Sequence, residues 1–504
     1  MTVYAHLCAM GLKSFLAKPF ASLIAACVRR DSHNAVQDQH KIMLHLIQKA
    51  GETRFGQDHL FAKIHNYASF KSQIPIRDYE GLRTYIDAAL DGALDVLWPG
   101  RPLYWSKTSG TTSGIKYIPI TKDSIPYHIR SARNALLCYI HETGNANFVN
   151  GKLIFLSGSP ELEDKNGIPV GRLSGIVNHH IPAYLRTNQM PSYDTNCIED
   201  WEFKVDRIVE ETLHQNMTLI SGIPPWVQMY FDKLQEKGKK TIKQIFPDFT
   251  LFVYGGVNFE PYRARLESSI GGKVNTLETY PASEGFIAFQ DSQKEKGLLL
   301  MTNNGIFYEF IPVDDFYKEN PTRIMLQDIE LNRNYVLIMN TNAGLFGYNI
   351  GDTIKFVSKE PYRIVVTGRI KHFISAFGEH VIVEEVEHAI LTVAANQNIR
   401  ITEFTVAPQV SPPEGGLPYH EWFVEFEKAP VSLETFAQEV DEVLQQKNIY
   451  YRDLIAGKIL RTLVIRALPQ NSFINYMRTQ GKLGGQNKVP RLSNDRNLVN
   501  GLIG

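Results

Sequence analysis

Cysteine is scarce in this chain. Four residues among 504, Cys8, Cys27, Cys138 and Cys197, lie far apart, with no Cys-x-x-Cys pair and no histidine at metal-ligand spacing beside them. That excludes a disulfide scaffold and a zinc-finger framework, and leaves reduced, structural thiols. The adjacent His179 and His180 point apart along the chain with no acidic partner nearby, so they do not make a zinc pair either. Net charge is also missing: 53 Lys+Arg stand against 53 Asp+Glu. No global field attracts nucleic acid or an anionic membrane, so an anionic ligand must be held by a local site. No apolar run approaches the ~18 to 20 residues of a membrane span, and neither an internal repeat nor a low-complexity tract is present. Leu23-Ile24-Ala25-Ala26-Cys27 looks like a lipoprotein cleavage site, but Lys18 and Pro19 interrupt the apolar stretch such a signal needs. The expectation is a cytoplasmic protein in which a helix over Leu12 to Val28 packs Phe15, Leu16, Phe20, Leu23 and Ile24 against the body.

Hydrophobic residues make up 43% and charged residues 21%, the balance of an ordinary folded protein. At about 150 residues per domain the length allows three to four units, or two if one is large. Residues 1 to about 95 read as helices. From Leu103 to about Phe356, β-like runs (Lys152 to Leu156, Thr250 to Tyr254, Leu298 to Thr302, Ile306 to Ile311, Tyr335 to Met339) alternate with helical patterns at Lys122 to His141 and Trp201 to Gln215. The alternation predicts an α/β body whose sheets are covered by helices. After Gly368-Arg369 the pattern shortens to a hairpin through Phe373 to Val381, a helix over Val383 to Ala394, strands near 401–407, 421–427 and 461–467, and a helix over Leu433 to Gln446. This predicts a small α+β cap, giving domains 1–367 and 368–504 with a hinge near 368–371.

Four clusters carry candidate chemistry. Lys107-Thr108-Ser109-Gly110-Thr111-Thr112-Ser113-Gly114-Ile115-Lys116 packs five hydroxyl residues, two glycines and two lysines into ten positions. Glycines let backbone N–H groups converge on an anion, hydroxyls add donors and lysine adds charge, so the loop suits phosphate. Its spacing is not that of a Walker loop, and it leads into a strand, Tyr117 to Ile120, rather than a helix. A plain Ser/Thr-rich linker has the same composition. Glu278-Thr279-Tyr280-Pro281-Ala282-Ser283-Glu284-Gly285 offers a ring for a base and a hard oxygen for Mg²⁺, or is simply an exposed turn. Gly347-Tyr348-Asn349-Ile350-Gly351-Asp352 ends in an acid able to accept ribose hydroxyls, or to close a turn. Gln486-Asn487-Lys488-Val489-Pro490-Arg491 places a lysine on a flexible loop or a solvated tail, and composition favours the tail.

In order and together, these clusters resemble the adenylate-forming superfamily of acyl-CoA synthetases, peptide-synthetase adenylation domains and luciferases. More closely, the chain resembles the auxin-responsive acyl acid amido synthetase family, the plant hormone-conjugating enzymes and their bacterial relatives. Further blocks carry the likeness: Thr53-Arg54-Phe55-Gly56 followed by Phe61, Ile74-Pro75-Ile76-Arg77-Asp78-Tyr79-Glu80, and Leu97-Trp98-Pro99-Gly100. The first family motif falls on Thr108 to Thr112 with threonine for the first serine. The second matches Tyr280 to Glu284, and the third Tyr348 to Asp352 with Asn349 where arginine is usual.

The resemblance implies a large N-terminal adenylate-forming domain, a small mobile cap, and ATP and Mg²⁺ as cofactors. It implies adenylation of a carboxylic acid followed by transfer to an amine, an amino acid by preference. It assigns catalysis to Lys488 and Glu284, with Glu284 also the metal ligand. Thr108, Ser109, Gly110, Thr111, Thr112, Lys116, Gly255, Gly256, Val257, Tyr280, Ser283, Asp352 and Arg369 would bind nucleotide, and Gly222, Ile223 and Trp226 the acid. The partners are then a small carboxylic acid and an amine, without nucleic acid or membrane. An acyl-CoA ligase and a catalytically idle binder of acid or nucleotide are the alternatives.

Overall fold

The computed structural model describes residues 2–109, 115–181, 186–256, 259–370, 373–374, 381–456, 459–484, 487–493 and 495–503. The chain divides into two compact units, one of residues 1–257, 265–350 and 354–365, the other of 258–264, 351–353 and 366–504.

The first unit begins with helices, as the N-terminal pattern predicts. The blocks quoted above have structural work here. Thr53 caps the helix Arg54–Asp58 by accepting the Gly56 N–H at 3.0 Å. A Cβ at Gly56 would lie 2.1 Å from the Ala50 carbonyl, so only glycine fits. Phe55 stacks on Phe346 at 5.5 Å, and the buried Leu97 and Trp98 join the same core as Tyr79, Trp105 and Tyr348. Arg77 and Tyr348 form a parallel bridge: Arg77 N–H donates to Gly347 O at 2.9 Å, and Asn349 N–H donates to Arg77 O at 2.7 Å. The block at 74–80 is therefore the backing of the third motif.

The helix Thr2–His33 forms, and Ile24 packs against the core as expected, but the other four expected residues do not. Phe15, Leu16, Phe20 and Leu23 are exposed, at 71%, 59%, 45% and 62%, while Ala21, Ala25 and Val28 are buried. It lies against the helix Ile125–Thr143. Small residues allow that close approach, and hydrophobicity alone chose the wrong stripe.

The main sheet has eleven strands among the described residues. Its parallel part runs Gln189–Met190, Lys152–Phe155, Met217–Ser221, Leu251–Gly255 and Asn275–Ala282. Strands from Gly285–Phe289 onward continue it, ending at the antiparallel pair Ile306–Pro312 and Asn334–Thr341. A four-stranded sheet holds Tyr104–Ser109 between the antiparallel Ile115–Ile120 and the parallel Ile168–Gly171. The expected strands all occur. Met217–Ser221, Asn275–Ala282, Gly285–Phe289 and the short Glu163–Lys165 and Ile168–Gly171 are among the additional ones.

In the second unit, the strands Arg400–Gln409, Tyr419–Lys428 and Val464–Leu468 form a sheet. The helices Val383–Asn396 and Leu433–Lys447 bury Val386, Ile390, Phe436 and Val440 in a core with Phe404, Trp422 and Val424. A short pairing of Phe373–Ile374 with Val381–Ile382 precedes them. The tail is not solvated. Arg491 is 9% exposed, donates to Phe404 O at 3.0 Å and Tyr262 Oη at 2.7 Å, and pairs with Glu387 and Glu403. Val406 N–H donates to Arg491 O and Ser493 N–H to Val406 O, which fastens the chain three residues beyond Lys488.

Candidate functional site

In open α/β sheets, ligands bind at the carboxyl ends of the parallel strands. Four of those ends here are Leu156 to Gly158, Ser221-Gly222, Gly255-Gly256 and Thr279 to Ala282. Gly222 N–H donates to Val253 O and Leu156 N–H to Ser221 O, locking neighbouring ends together. Gly255 pairs with Thr279, and a Cβ on Gly255 would sit 2.3 Å from the Thr279 carbonyl oxygen. The glycine is thus demanded by strand contact. Gly256 has φ +84°, the left-handed conformation glycine tolerates.

The second motif is a hairpin tip. Ala282 pairs with Gly285, leaving Ser283 and Glu284 as the two residues of the turn. Two contacts tie this tip to the other motifs. Ser283 Oγ lies 2.8 Å from Ser106 Oγ on the strand that leads into the hydroxyl-rich loop. Tyr348 Oη, from the third motif, donates to Glu284 Oε1 at 3.2 Å. Thr108 lies two residues after Ser106 and faces the same side of its strand. Ser106 itself escaped sequence analysis; its alternation with Thr108 was the available signal.

The remaining expected residues stand as follows. Lys116 is opposite Thr108 across the hairpin, its ammonium 5.6 Å from the Tyr79 ring centroid, and Lys107 is engaged by Glu163. Ser109 closes its strand, whereas Gly110, Thr111, Thr112 and Val257 lie outside the described residues. Tyr280 is 9% exposed and packs into the core with Ile287 and Ala288. Gly222 and Ile223 lead into the helix Pro224–Gly238. Trp226 is 5% exposed and stands edge-on to Trp201 at 5.5 Å, with both indole N–H groups buried and without a hydrogen-bond partner among the described residues. Its ring is packed rather than open.

In the second unit, Arg369 Nε donates to Asp352 Oδ1 at 2.7 Å, with Arg369 half exposed and Asp352 buried. Lys488 keeps an exposed face, yet protein crowds its ammonium and lowers its pKa to about 8. Arg369 adds to that shift and Asp352 opposes it.

No cluster of three or more His, Cys, Asp or Glu suited to a metal exists among the described residues. His179 and His180 turn to separate partners, Pro160 O and Tyr104 Oη. One part-buried carboxylate at a turn, Glu284, fits an ion such as Mg²⁺, which keeps several waters and shares its shell with substrate phosphates. The cysteines Cys27, Cys138 and Cys197 are free thiols, and no described helix is long and apolar enough to cross a membrane.

Comparison with known proteins agrees with this architecture. A jasmonoyl–L-amino acid synthetase of Nicotiana attenuata is 22% identical over 384 residues, 63% of this chain and 66% of that protein. An indole-3-acetic acid-amido synthetase of Arabidopsis thaliana is 26% identical over 247 residues, 46% of this chain and 41% of that protein. The chain thus spans somewhat under two thirds, and about two fifths, of the lengths of these relatives. Among solved structures, an acyl acid amido synthetase in complex with 2,4-DB superposes with a TM-score of 0.78 at 16% identity, covering 96% of each chain. A 2-hydroxyisobutyryl-CoA ligase in the postadenylation state gives 0.57 at 12%, covering 95% of this chain and 90% of the other. These likenesses establish the expected α/β fold class. Residues 26–197, 299–369 and 384–497 match, in that order, the GH3 family N-terminal, central and C-terminal domains, and the chain belongs to the GH3 family.

Proposed function

We propose that this protein is an ATP-dependent acyl acid amido synthetase. The observation that supports the reading is that the hairpin tip of the second motif touches both the strand leading into the hydroxyl-rich loop, through Ser106 with Ser283, and the third motif, through Tyr348 with Glu284. Burial obliges the Ser106 and Tyr348 hydroxyls to find partners, and that both find them on one part-exposed turn carrying a carboxylate suits a polyphosphate and its cation.

In the first half-reaction an oxygen of the substrate carboxylate attacks the α-phosphorus of ATP, and the bond to the β-phosphate oxygen breaks. The products are an acyl adenylate and pyrophosphate. Donors from Thr108, Ser109, Gly110, Thr111 and Thr112 and the charge of Lys116 hold the leaving phosphates. Glu284 would hold Mg²⁺, which supplies charge neutralisation when bound. Gly255, Gly256 and Val257 follow the adenine with Tyr280 at its edge, Ser283 orients the turn, and Asp352, steadied by Arg369, accepts from the ribose. Lys488 provides a cation for the α-phosphate and the attacking carboxylate, a contribution of several kcal/mol in preorganised sites. Gly222, Ile223 and Trp226 bound the acid, with the tightly packed Trp226 acting as wall. In the second half-reaction a neutral amine attacks the acyl carbon, AMP departs, and the amine loses a proton.

The acceptor is tested by product analysis. With ATP, Mg²⁺ and a panel of aryl and alkyl acids, amino acids should drive pyrophosphate release to completion and yield an amide by mass spectrometry. Completion with coenzyme A instead would make the protein a thioester ligase.

A further inference from the structure

Two cations converge on the turn that ends the strand Lys152–Phe155, and neither forms an ion pair there. Arg172 follows Gly171, which pairs with Ser106. Its side chain lies flat on Gly158: a Cβ on that glycine would be 2.7 Å from Arg172 Cδ and 3.4 Å from Nε. Among the described residues its guanidinium has no hydrogen-bond or ion-pair partner. The half-buried group has its pKa lowered by desolvation, with no acid acting on it. On the same turn, buried Lys204 donates to Ser157 O at 3.0 Å and Asn196 O at 2.6 Å. Its pKa is lowered to about 8 by burial, raised somewhat by Cys197 and lowered further by Arg172. The turn adjoins the candidate acid site, because a Cβ on Gly222 would touch Leu156 Cβ at 3.0 Å.

A half-buried guanidinium without an anion has given up part of its water, and a planar two-oxygen anion would match its fork and offset that loss. The carboxylate that reacts loses its charge on adenylation, so a fixed cation is better matched to one that stays ionised through both steps. We propose that Arg172 binds a non-reacting substrate carboxylate, either the α-carboxylate of an amino acid acceptor or a second carboxylate on the acyl acid. The first of these sources rests on the amido synthetase reading, and the second does not.

The test uses the full chain with Arg172→Met, the conservative Arg172→Lys, and Gly158→Ala, which displaces Arg172 without removing it. One arm measures acid-dependent pyrophosphate exchange into ATP with monocarboxylic and dicarboxylic acids. The other measures amide formation with an amino acid and with its carboxamide. Loss of the contact should raise KM for the substrate bearing the carboxylate roughly ten- to hundredfold, leave the carboxamide or monocarboxylic acid unaffected, and be partly restored in Arg172→Lys. A change confined to the amino acid assigns the acceptor; a change confined to the dicarboxylic acid assigns the acid. Unchanged KM in both arms, or a rise in KM for ATP alone, overturns the proposal. A wild-type protein that exchanges pyrophosphate but makes no amide defeats the amido synthetase reading alone, and the dicarboxylic arm still judges Arg172.

Discussion

Lys488 and His128 are both bases held below their ordinary pKa by burial, with opposite consequences. Lys488 is a cation below about 8 and neutral above it. If its charge serves adenylation, kcat/KM for the acid falls as pH rises through about 8, and Lys488→Arg, slower in absolute terms, removes that alkaline limb. Lys488→Ala should slow adenylation while leaving ATP binding nearly intact; unchanged turnover would take the residue out of the mechanism. His128 is 4% exposed with an unpartnered Nδ1, and burial lowers its pKa to about 4. Between pH 6.5 and about 4 the unfolded chain binds a proton at this position that the folded chain does not. Stability therefore falls with falling pH across that window, by up to about 3 kcal/mol. Denaturant titrations of His128→Gln should show a shallower acid loss. At this scale the sequence displayed Glu284, Ser283 and Tyr348 as members of motifs. It could not display Ser106 or Arg172, whose importance comes from what lies across a sheet from them.

Elements were legible where periodicity was long. The helix Ile125–Thr143 repeats apolar residues at helical spacing over several turns, and the strands Leu251–Gly255, Ile306–Pro312 and Tyr419–Lys428 are near-continuous buried runs that read directly as strands. Glu163–Lys165 and Ile168–Gly171 carry too few residues for any period to register. They matter nonetheless, since the second of them supports the strand bearing Ser106. The N-terminal helix was legible as a helix but not in its orientation, because Ala21 and Ala25 win by shape what Phe15 and Leu23 would win by area. Two variants probe elements directly. Gly255→Ala drives a Cβ into the Thr279 carbonyl and should cost about 1–3 kcal/mol, read as a fall in the urea midpoint, with weakened nucleotide binding. Arg491→Met removes the cation paired with Glu387 and Glu403 in the second unit, while Glu403 keeps the Tyr262 hydroxyl and the Phe404 N–H, and should cost about 3 kcal/mol, with faster amide exchange along Arg400–Gln409.

At the scale of the whole chain, composition indicated only a folded body with a local anion site. The ordered succession of short blocks did more, because each has a physical reason to persist. Gly56 and Gly347 leave no room for a Cβ beside the Ala50 and Pro75 carbonyls, and Tyr348 joins Arg77 on one side and Glu284 on the other. Sequence could not reveal which acid would fit the proposed function, since the candidate lining is mostly backbone and packed tryptophan. The central claim is that these motifs serve one chemical act, attack of a carboxylate on the α-phosphorus of ATP. It is tested most directly by exchange of labelled pyrophosphate into ATP with the wild-type protein and Glu284→Ala. The account predicts exchange that needs both an acid and Mg²⁺ and that falls by two orders of magnitude or more in the variant, roughly the effect of removing a preorganised transition-state contact. Exchange in Glu284→Ala at the wild-type rate, or none in the wild type with any acid, would contradict it.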